Sequence, residues 1–300
     1  MSGLSLADFR GAAQATTGRV LELQKQGGQD RIASSSTLGS RFCNWLRDVG
    51  VLRTANPAMV AFKNAVRQEV GNAAIADELL RQLGLTSNRK PLTDRQVAKA
   101  ASYTERVAAC KDAPMFAHMG ARKFTQYLLS VDKAIERSMV DTHGMTDLEK
   151  VGLYGYTSNN YRELNTALRE AKKGKPVPAG LQDYIEHARR ALARLPDATG
   201  PTARGVGFLP TEAEERYERG RIVTEYAFTS SAAGTGFDGR YQFTISGAHD
   251  KDVSGFSMFP KEKEVLFEPG TRFKVLDREP RPDPAAPGGE GQIHIILWEV

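Results

Sequence analysis

Two glutamates, Glu262 and Glu264, stand two residues apart immediately before the apolar run Val265-Leu266-Phe267. On a β-strand, residues i and i+2 share one face, so both carboxylates would point into a common cleft. A pair of carboxylates can oppose a developing positive charge and accept a proton within one site. The same pattern also fits the exposed, charged start of a strand. The pair therefore predicts chemistry only together with other residues.

An arginine followed by a glycine, Arg204-Gly205, opens the first strand expected after a linker at residues 196–201. A guanidinium is a planar donor that suits a phosphate or a diphosphate. The glycine lets a ligand approach the backbone closely. A lone arginine at a strand start is otherwise a solvated charge.

Hydroxyl side chains cluster at Thr229-Ser230-Ser231, where an apolar strand runs into a glycine-rich turn. Such hydroxyls can satisfy the backbone groups of the turn. Alternatively, one of them can orient a neighbouring carboxylate.

A helix is expected upstream, with Thr157 or Ser158 as its N-cap. Its Tyr161, Leu164 and Leu168 recur at helical spacing and form an apolar stripe. This stripe predicts packing against the core.

Apolar spacing divides the chain into a helical part and a β part. From Leu6 to Leu195 the spacing is that of amphipathic helices, whereas short β-branched and aromatic runs occupy residues 204–300. Five of these runs are predicted strands: 223–229, 241–245, 264–267, 272–276 and 292–298. Because the helices precede the strands rather than alternate with them, the predicted fold class is α+β.

Three regions are expected along the chain. Residues 1–40 form a flexible leader, since Gly, Gln and Ser dominate residues 27–40. Residues 41–115 form a helical module. Residues 116–300 form the domain that carries the candidate chemical groups, with a helical part at 116–197 and a β core at 202–300.

Composition excludes several classes of protein. With 300 residues, of which 40% are hydrophobic and 26% charged, the chain has the composition of a typical globular protein. It has no membrane-length apolar run, and its N-terminus lacks the pattern of a cleavable signal peptide. The net charge of +5 comes without a basic tract interleaved with aromatics, so no nucleic-acid partner is expected. Cys43 and Cys110 form no CxxC pair, and the five histidines show no ligand spacing, so no metal is expected.

Taken in order, four motifs resemble the bacterial mono-ADP-ribosyltransferase toxins and effectors of the Arg-Ser-Glu type. They are YTSNNYRELNTAL at 156–168, ARLPDATGPTARG at 193–205, YAFTSSA at 226–232 and FPKEKEVLFEPGTRFKVL at 259–276. The last motif is the most specific, because it combines Glu-x-Glu, an apolar strand and a Pro-Gly-Thr turn. The resemblance covers residues 146–300. It implies the ADP-ribosyltransferase fold, in which two packed small β-sheets follow helices and NAD lies in the cleft between the sheets.

The resemblance also implies roles for individual residues. Arg204 would hold the phosphates of NAD, and Ser230 would position Glu264. Glu264 would engage the 2′-hydroxyl of the nicotinamide ribose and stabilise the cationic transition state. Glu262 would deprotonate the acceptor side chain, which is arginine by default, although threonine is also possible. The other candidate NAD contacts are Gly205, Ser231 and Phe237.

Two aromatic residues before the glutamates, Phe256 and Phe259, lie where such enzymes carry a target-recognition turn. Burial of both rings is the alternative. At Ala232 the third hydroxyl of the family's Ser-Thr-Ser motif is missing, which puts the strength of NAD binding in doubt.

The function implied is transfer of ADP-ribose from NAD to a host protein with release of nicotinamide. NAD is a co-substrate, and no metal is implied. Targets within the family's range are actin, small GTPases or their regulators, and ubiquitin. Delivery would be by type III secretion into the host cytoplasm, with a chaperone at the N-terminal module. The rival functions are an NAD glycohydrolase and a catalytically silent effector that only binds.

Overall fold

A computed structural model describes residues 3–16, 18–35, 38–49, 54–209, 214–234, 238–282 and 291–300. The chain divides into two compact units, Met1–Gln126 and Tyr127–Val300. Helices and sheets are both present, and the helices of the second unit precede its strands, which agrees with the α+β prediction.

The first unit is built from helices and one small antiparallel sheet. The sheet has the strand order β2-β1-β3, with β1 Val20–Gln26, β2 Gln29–Ser34 and β3 Leu92–Thr93. The helices are α1 Leu6–Gln14, α2 Leu38–Asp48, α3 Pro57–Val70, α4 Ala73–Gln82, α5 Asp94–Cys110 and α6 Pro114–Met119, followed by α7 Ala121–Ser138, which runs into the second unit.

The flexible leader expected at residues 1–40 is not what the described residues form. Ser5 and Asp8 make a capping box at the start of α1. Phe9 is fully buried and packs edge-to-face on Phe62, with ring centroids 5.2 Å apart. Gly27 and Gly28 have φ values of 59° and 80° and turn β1 into β2. The glycines that indicated a linker therefore make a hairpin turn, for which two positive φ values are favourable.

The boundary expected at residue 116 also differs from the one observed. Helix α6 belongs to the first unit, because Phe116 packs on Phe124 with ring centroids 4.7 Å apart. The boundary consequently falls after Gln126. Helix α5 begins at a capping box formed by Thr93 and Gln96.

In the second unit, α8 Asp147–Gly155 and α9 Tyr161–Lys172 are joined by a wide π-type turn, Tyr156–Asn160, and α10 Ala179–Arg194 follows. The N-cap expected at Thr157 or Ser158 is absent. Instead, their hydroxyls donate back to the Tyr154 carbonyl at 2.9 Å and the Gly155 carbonyl at 2.6 Å. These bonds fold the chain into the wide turn, with Ser158 outside helical geometry at φ −94° and ψ −151°.

The second unit carries an eight-stranded sheet in the order β5-β10-β11-β7-β4-β6-β9-β8. Its strands are β4 Thr202–Val206, β5 Ile222–Glu225, β6 Thr229–Ala232, β7 Tyr241–Ser246, β8 Lys251–Asp252, β9 Glu264–Phe267, β10 Thr271–Arg281 and β11 Gln292–Glu299. Its main core lies on one face of the strands and includes Phe243, Phe267, Phe273, Ile295 and Leu297.

A single residue pair, Ala203 with Ala232, connects β4 to β6. The sheet thus consists of a five-stranded half and a three-stranded half, in line with the two small sheets expected. The predicted strand 223–229 is in fact two strands. Because β5 pairs with β10 and β6 pairs with β9, residues 226–228 carry the chain from one half to the other. Residues 268–270 do the same between β9 and β10, so they do not form a hairpin.

Within the described residues, none of the helices combines the length and apolar character that crossing a membrane requires.

Candidate active site

A cavity of about 580 Å³ opens in the second unit, a size typical of small-ligand pockets. One wall comes from the wide turn and α9, and another from β4 and β6. The third comes from the residues that lead into β9. The cavity therefore lies where the two halves of the sheet separate.

Ser230 and Glu264 meet in this cavity through a direct hydrogen bond. The Ser230 hydroxyl donates to Glu264 Oε1 at 2.7 Å. The register explains the contact, because Ala232 pairs with Glu264 and Ser230 is the diagonal neighbour on the same face. Glu264 is only 9% exposed. The predicted pairing of these two side chains is thus present in the geometry.

Burial raises the pKa of Glu264 to about 7. The hydroxyl of Ser230 acts in the opposite direction, because it stabilises the carboxylate, and the charge of Glu262 raises the pKa slightly further. A carboxyl group whose pKa lies near neutrality in a cleft is a common property of catalytic groups.

Glu262 lines the same cavity, but it is not on a strand. It ends a short 3-10 turn, Pro260–Glu262, and Lys263 has left-handed backbone geometry with φ 49°. The expectation of a shared cleft agrees with the structure, whereas the strand argument behind it is wrong. Glu262 is exposed, unlike Glu264.

Three guanidinium groups line the cavity: Arg204 from β4, and Arg162 and Arg169 from α9. Arg204 is half-buried, and its Nη1 donates to the Ser230 carbonyl at 3.0 Å. Several arginines in one cavity suit a diphosphate. Arg162 and Arg169 were missed, although their spacing of seven residues places them on one helix face.

Aromatic rings also reach the cavity. Tyr156 and Phe228 pack together with centroids 4.8 Å apart. Tyr161, assigned to the core by its helical spacing, lines the cavity and is 39% exposed. The apolar stripe of α9 is therefore narrower than the sequence predicts.

The remaining candidate NAD contacts have different outcomes. Gly205 lines the cavity. Ser231 does not, because alternate residues of a strand face opposite ways. Its hydroxyl is buried and donates to the Val265 carbonyl at 3.2 Å, so its assignment to the NAD site is corrected. Phe237 lies outside the described residues.

Of the two candidate target contacts, only Phe259 is accessible. It is 47% exposed and lines the cavity. Phe256 is 2% exposed, because it faces the interior from the short turn Ser254–Phe256. The assignment of Phe256 to target recognition is therefore corrected.

A metal centre finds no support in the part of the chain that the structure describes, where no three His, Cys, Asp or Glu side chains are grouped to hold an ion.

Residues 121–285, more than half of the chain, match the family model described as "ART: NAD:arginine ADP-ribosyltransferase". The chain is 35% identical over 142 residues to the putative NAD(+)--arginine ADP-ribosyltransferase Mav of Mycobacterium avium, covering 45% of this chain and 17% of that protein. It is 38% identical over 138 residues to the NAD(+)--protein-arginine ADP-ribosyltransferase Tre1 of Pseudomonas putida, and this match covers 45% of this chain and 27% of that protein.

Secreted exoenzyme S of Pseudomonas aeruginosa is 27% identical over 166 residues, covering 49% of this chain and 36% of that protein. A solved chain of exoenzyme S, in complex with human 14-3-3 protein beta and bound to Carba-NAD, is 22% identical, with a TM-score of 0.44 over 59% of this chain and 88% of that chain. This chain spans well under half the length of each of these three relatives.

Proposed function

Because the chain belongs to the NAD:arginine ADP-ribosyltransferase family, we propose that it transfers ADP-ribose from NAD to an arginine side chain of a protein and releases nicotinamide. The family match confirms the resemblance found in the sequence and the predicted α+β fold. The observation that carries the proposal is the buried Glu264 carboxyl, held by Ser230 in a cavity lined by three arginines.

Cleavage of the bond between ribose C1′ and the nicotinamide nitrogen leaves positive charge on the ribose and a neutral nicotinamide. A fixed carboxylate opposes that charge without having to reorganise, provided that water is largely excluded. Glu264 meets both conditions, because it is buried and hydrogen-bonded. We assign it this role, and Ser230 the role of fixing its orientation.

The acceptor step requires a second group. A guanidinium must lose a proton as its nitrogen attacks C1′, and Glu262 is an exposed carboxylate on the same cavity. Glu262 is therefore the proposed base, and the exposed Phe259 offers an apolar contact beside it. Arg204, Arg162 and Arg169 would hold the diphosphate of NAD.

Labelled NAD tests the proposal, with agmatine as a free guanidinium acceptor and a eukaryotic lysate as a source of protein acceptors. Wild type should label a discrete band and modify agmatine. Glu264→Gln should lower both reactions by at least about a hundredfold, as expected when a transition-state group is lost. The matched control is Glu268→Gln, because Glu268 lies just after the same strand and outside the cavity. Equal labelling by wild type and Glu264→Gln would refute the assignment.

Glu262→Gln separates transfer from hydrolysis. It should abolish labelling of agmatine and protein while NAD is still cleaved to ADP-ribose with water as the acceptor. If wild type itself forms only free ADP-ribose at full rate, the chain is an NAD glycohydrolase. If it neither binds nor cleaves NAD, it is a silent binding protein.

We further propose that the natural acceptor is a host protein and that the enzyme acts after export from a bacterium. Support comes from the relative named secreted exoenzyme S. A type III route and an N-terminal chaperone contact belong to the same proposal. Mass spectrometry of the labelled band identifies the acceptor residue, and a labelled threonine would replace arginine in the proposal.

A further inference from the structure

Strand β6, which carries Ser230, is incompletely paired on one side. Along its whole length it pairs with β9, from Thr229 with Phe267 to Ala232 with Glu264. On the other side it meets β4 only at Ala232. The backbone groups before Ala232 on this edge therefore need other partners, since buried amides and carbonyls are costly to leave unpaired.

The side chain of Asn165 supplies those partners at Phe228. The Phe228 N–H donates to Asn165 Oδ1 at 3.1 Å, and Asn165 Nδ2 donates to the Phe228 carbonyl at 3.3 Å. Two residues of an antiparallel pair exchange their N–H and C=O groups in this way. One amide side chain thus imitates a neighbouring strand.

Asn165 has little capacity left for other contacts. Its Nδ2 also donates to the Tyr156 hydroxyl at 3.2 Å, so both of its N–H groups are used. The residue is 7% exposed. Two residues further along the same strand edge, the Arg204 guanidinium donates a hydrogen bond to the Ser230 carbonyl at 3.0 Å.

We propose that Asn165 is a positioning residue that fixes the segment entering β6 and thereby holds the Ser230 hydroxyl against Glu264. Phe228 is two residues before Ser230, so a displacement at Phe228 moves the hydroxyl relative to the carboxylate. Tyr156 packs against the Phe228 ring in a tilted arrangement, and its hydroxyl accepts a hydrogen bond from the same amide, so the wide turn and the strand are held together. This inference rests on the proposed role of Glu264.

The test uses Asn165→Ala and the isosteric Asn165→Asp, whose second oxygen cannot donate to the Phe228 carbonyl. The protonation midpoint of Glu264 is read in the free protein by ¹³C NMR of its carboxyl carbon. Both variants should raise the midpoint, because the carboxylate loses the donor that stabilises it. For NAD cleavage, kcat should fall about tenfold to a hundredfold, as displaced catalytic groups do. KM should stay within about threefold, as expected when ground-state binding is untouched.

A double-mutant cycle decides whether the effect passes through Ser230. Ser230→Ala should raise the midpoint by itself, and the double variant Asn165→Ala with Ser230→Ala should be no slower than Ser230→Ala alone. Independent, multiplying losses would overturn the proposal. A raised KM with an unchanged midpoint would also overturn it, because Asn165 would then contact NAD directly.

Asn160→Ala is the matched control. Asn160 is another buried amide in the same stretch and donates to the Tyr184 hydroxyl at 2.9 Å. Its loss should lower stability without moving the midpoint of Glu264. If wild type fails to cleave NAD at all, the proposed function fails, whereas the NMR midpoint still tests the positioning role. An unchanged midpoint in both Asn165 variants rejects it.

Discussion

The buried carboxyl of Glu264 combines a proposed catalytic role with a structural cost. Its pKa is raised because burial disfavours the charged form, and the Ser230 hydroxyl compensates for this only in part. At neutral pH a large share of the molecules holds a desolvated negative charge. Active sites commonly tolerate such destabilising groups, because function needs them.

The rate of NAD cleavage should depend on pH through this residue. In the proposed mechanism the carboxylate is the active form, so kcat/KM should rise with pH along an acid limb centred at about 7, which is the pKa that burial gives Glu264. Ser230→Ala should move the limb upward, because the removed hydroxyl favours the carboxylate. Rate measurements from pH 5 to 9 check this, and a limb that stays near 4.5 in wild type would contradict it.

Glu264→Gln should stabilise the protein at high pH only. The pKa of Glu264 rises on folding from 4.5 to about 7, so the native state favours the proton. The stability from this group is full below pH 4.5 and is lost as the pH rises through 7. The glutamine of the variant does not ionise, so its free energy of unfolding at pH 8 should exceed that of wild type by on the order of 3 kcal/mol. Denaturant unfolding should show this gain at pH 8 and little or no gain at pH 4.5, and equal gains at both pH values would contradict the sign.

Some site residues could be predicted from the sequence because their types and order are distinctive. Arg204, Ser230, Glu262 and Glu264 all reach the cavity. Arg162, Arg169 and Asn165 could not be singled out, because polar residues on a helix resemble an ordinary solvated face. Which helix face points into a cleft depends on packing against distant strands.

At the scale of the element, the loop before β9, residues 253–263, is buried at its start and exposed to solvent towards its end. Val253, Phe256 and Ser257 are buried at 0%, 2% and 1% exposure. The Met258 N–H reaches the Thr157 hydroxyl at 3.4 Å, and the Ser257 hydroxyl accepts the N–H of Phe259 at 2.9 Å. The buried part thus fixes the position from which Phe259 and Glu262 reach the cavity, where the proposed acceptor would bind.

Gly255→Ala should damage transfer more than cleavage. An added Cβ would lie 2.4 Å from Val140 Cγ1, so Val140 or the loop must shift, and a shift of the loop would carry Glu262 with it. The ratio of agmatine transfer to NAD hydrolysis should fall about tenfold, since misplacement of a group by about 1 Å costs this much or more. Gly207→Ala is the control, because a Cβ there meets nothing within 4 Å. An unchanged ratio in Gly255→Ala would show that the loop does not set acceptor access.

The fold class could be predicted from the sequence, but the connections between the strands could not. Repeated β-branched and aromatic runs located β7, β9, β10 and β11 within a few residues. The break at residues 226–228 was not visible, because pairing partners from separate parts of the chain decide where a strand ends. The hairpin at Gly27-Gly28 was missed for a related reason, since glycines mark linkers and tight turns alike.

At the scale of the molecule, each unit has its own hydrophobic core, and every candidate catalytic residue lies in the second unit. The core of the first unit includes Leu6, Phe9, Leu21 and Ile32 from the segment expected to be flexible. This segment is therefore part of a folded module, whatever its role in secretion.

Phe9→Ala should destabilise the first unit by about 3–5 kcal/mol, the usual cost of removing a buried phenyl ring. Hydrogen exchange followed by mass spectrometry of peptides from residues 1–126 measures the loss. Arg10→Ala on the same helix is the control, because the Arg10 side chain is only partly buried and its ion pair with Glu105 is on the surface. If the backbone amides of residues 6–34 exchanged without protection in wild type, the prediction of a flexible leader would be correct after all.

Strand β11 lies in the middle of the five-stranded half, between β10 and β7, and runs parallel to β7. Arg204, Ser230, Glu262 and Glu264 are all translated before it. Until Gln292–Glu299 emerge from the ribosome, β7 and β10 have no shared neighbour, and the strand that bears Arg204 has no link to β10 and β5. A nascent chain can thus contain every proposed catalytic group while the sheet that positions Arg204 is still incomplete.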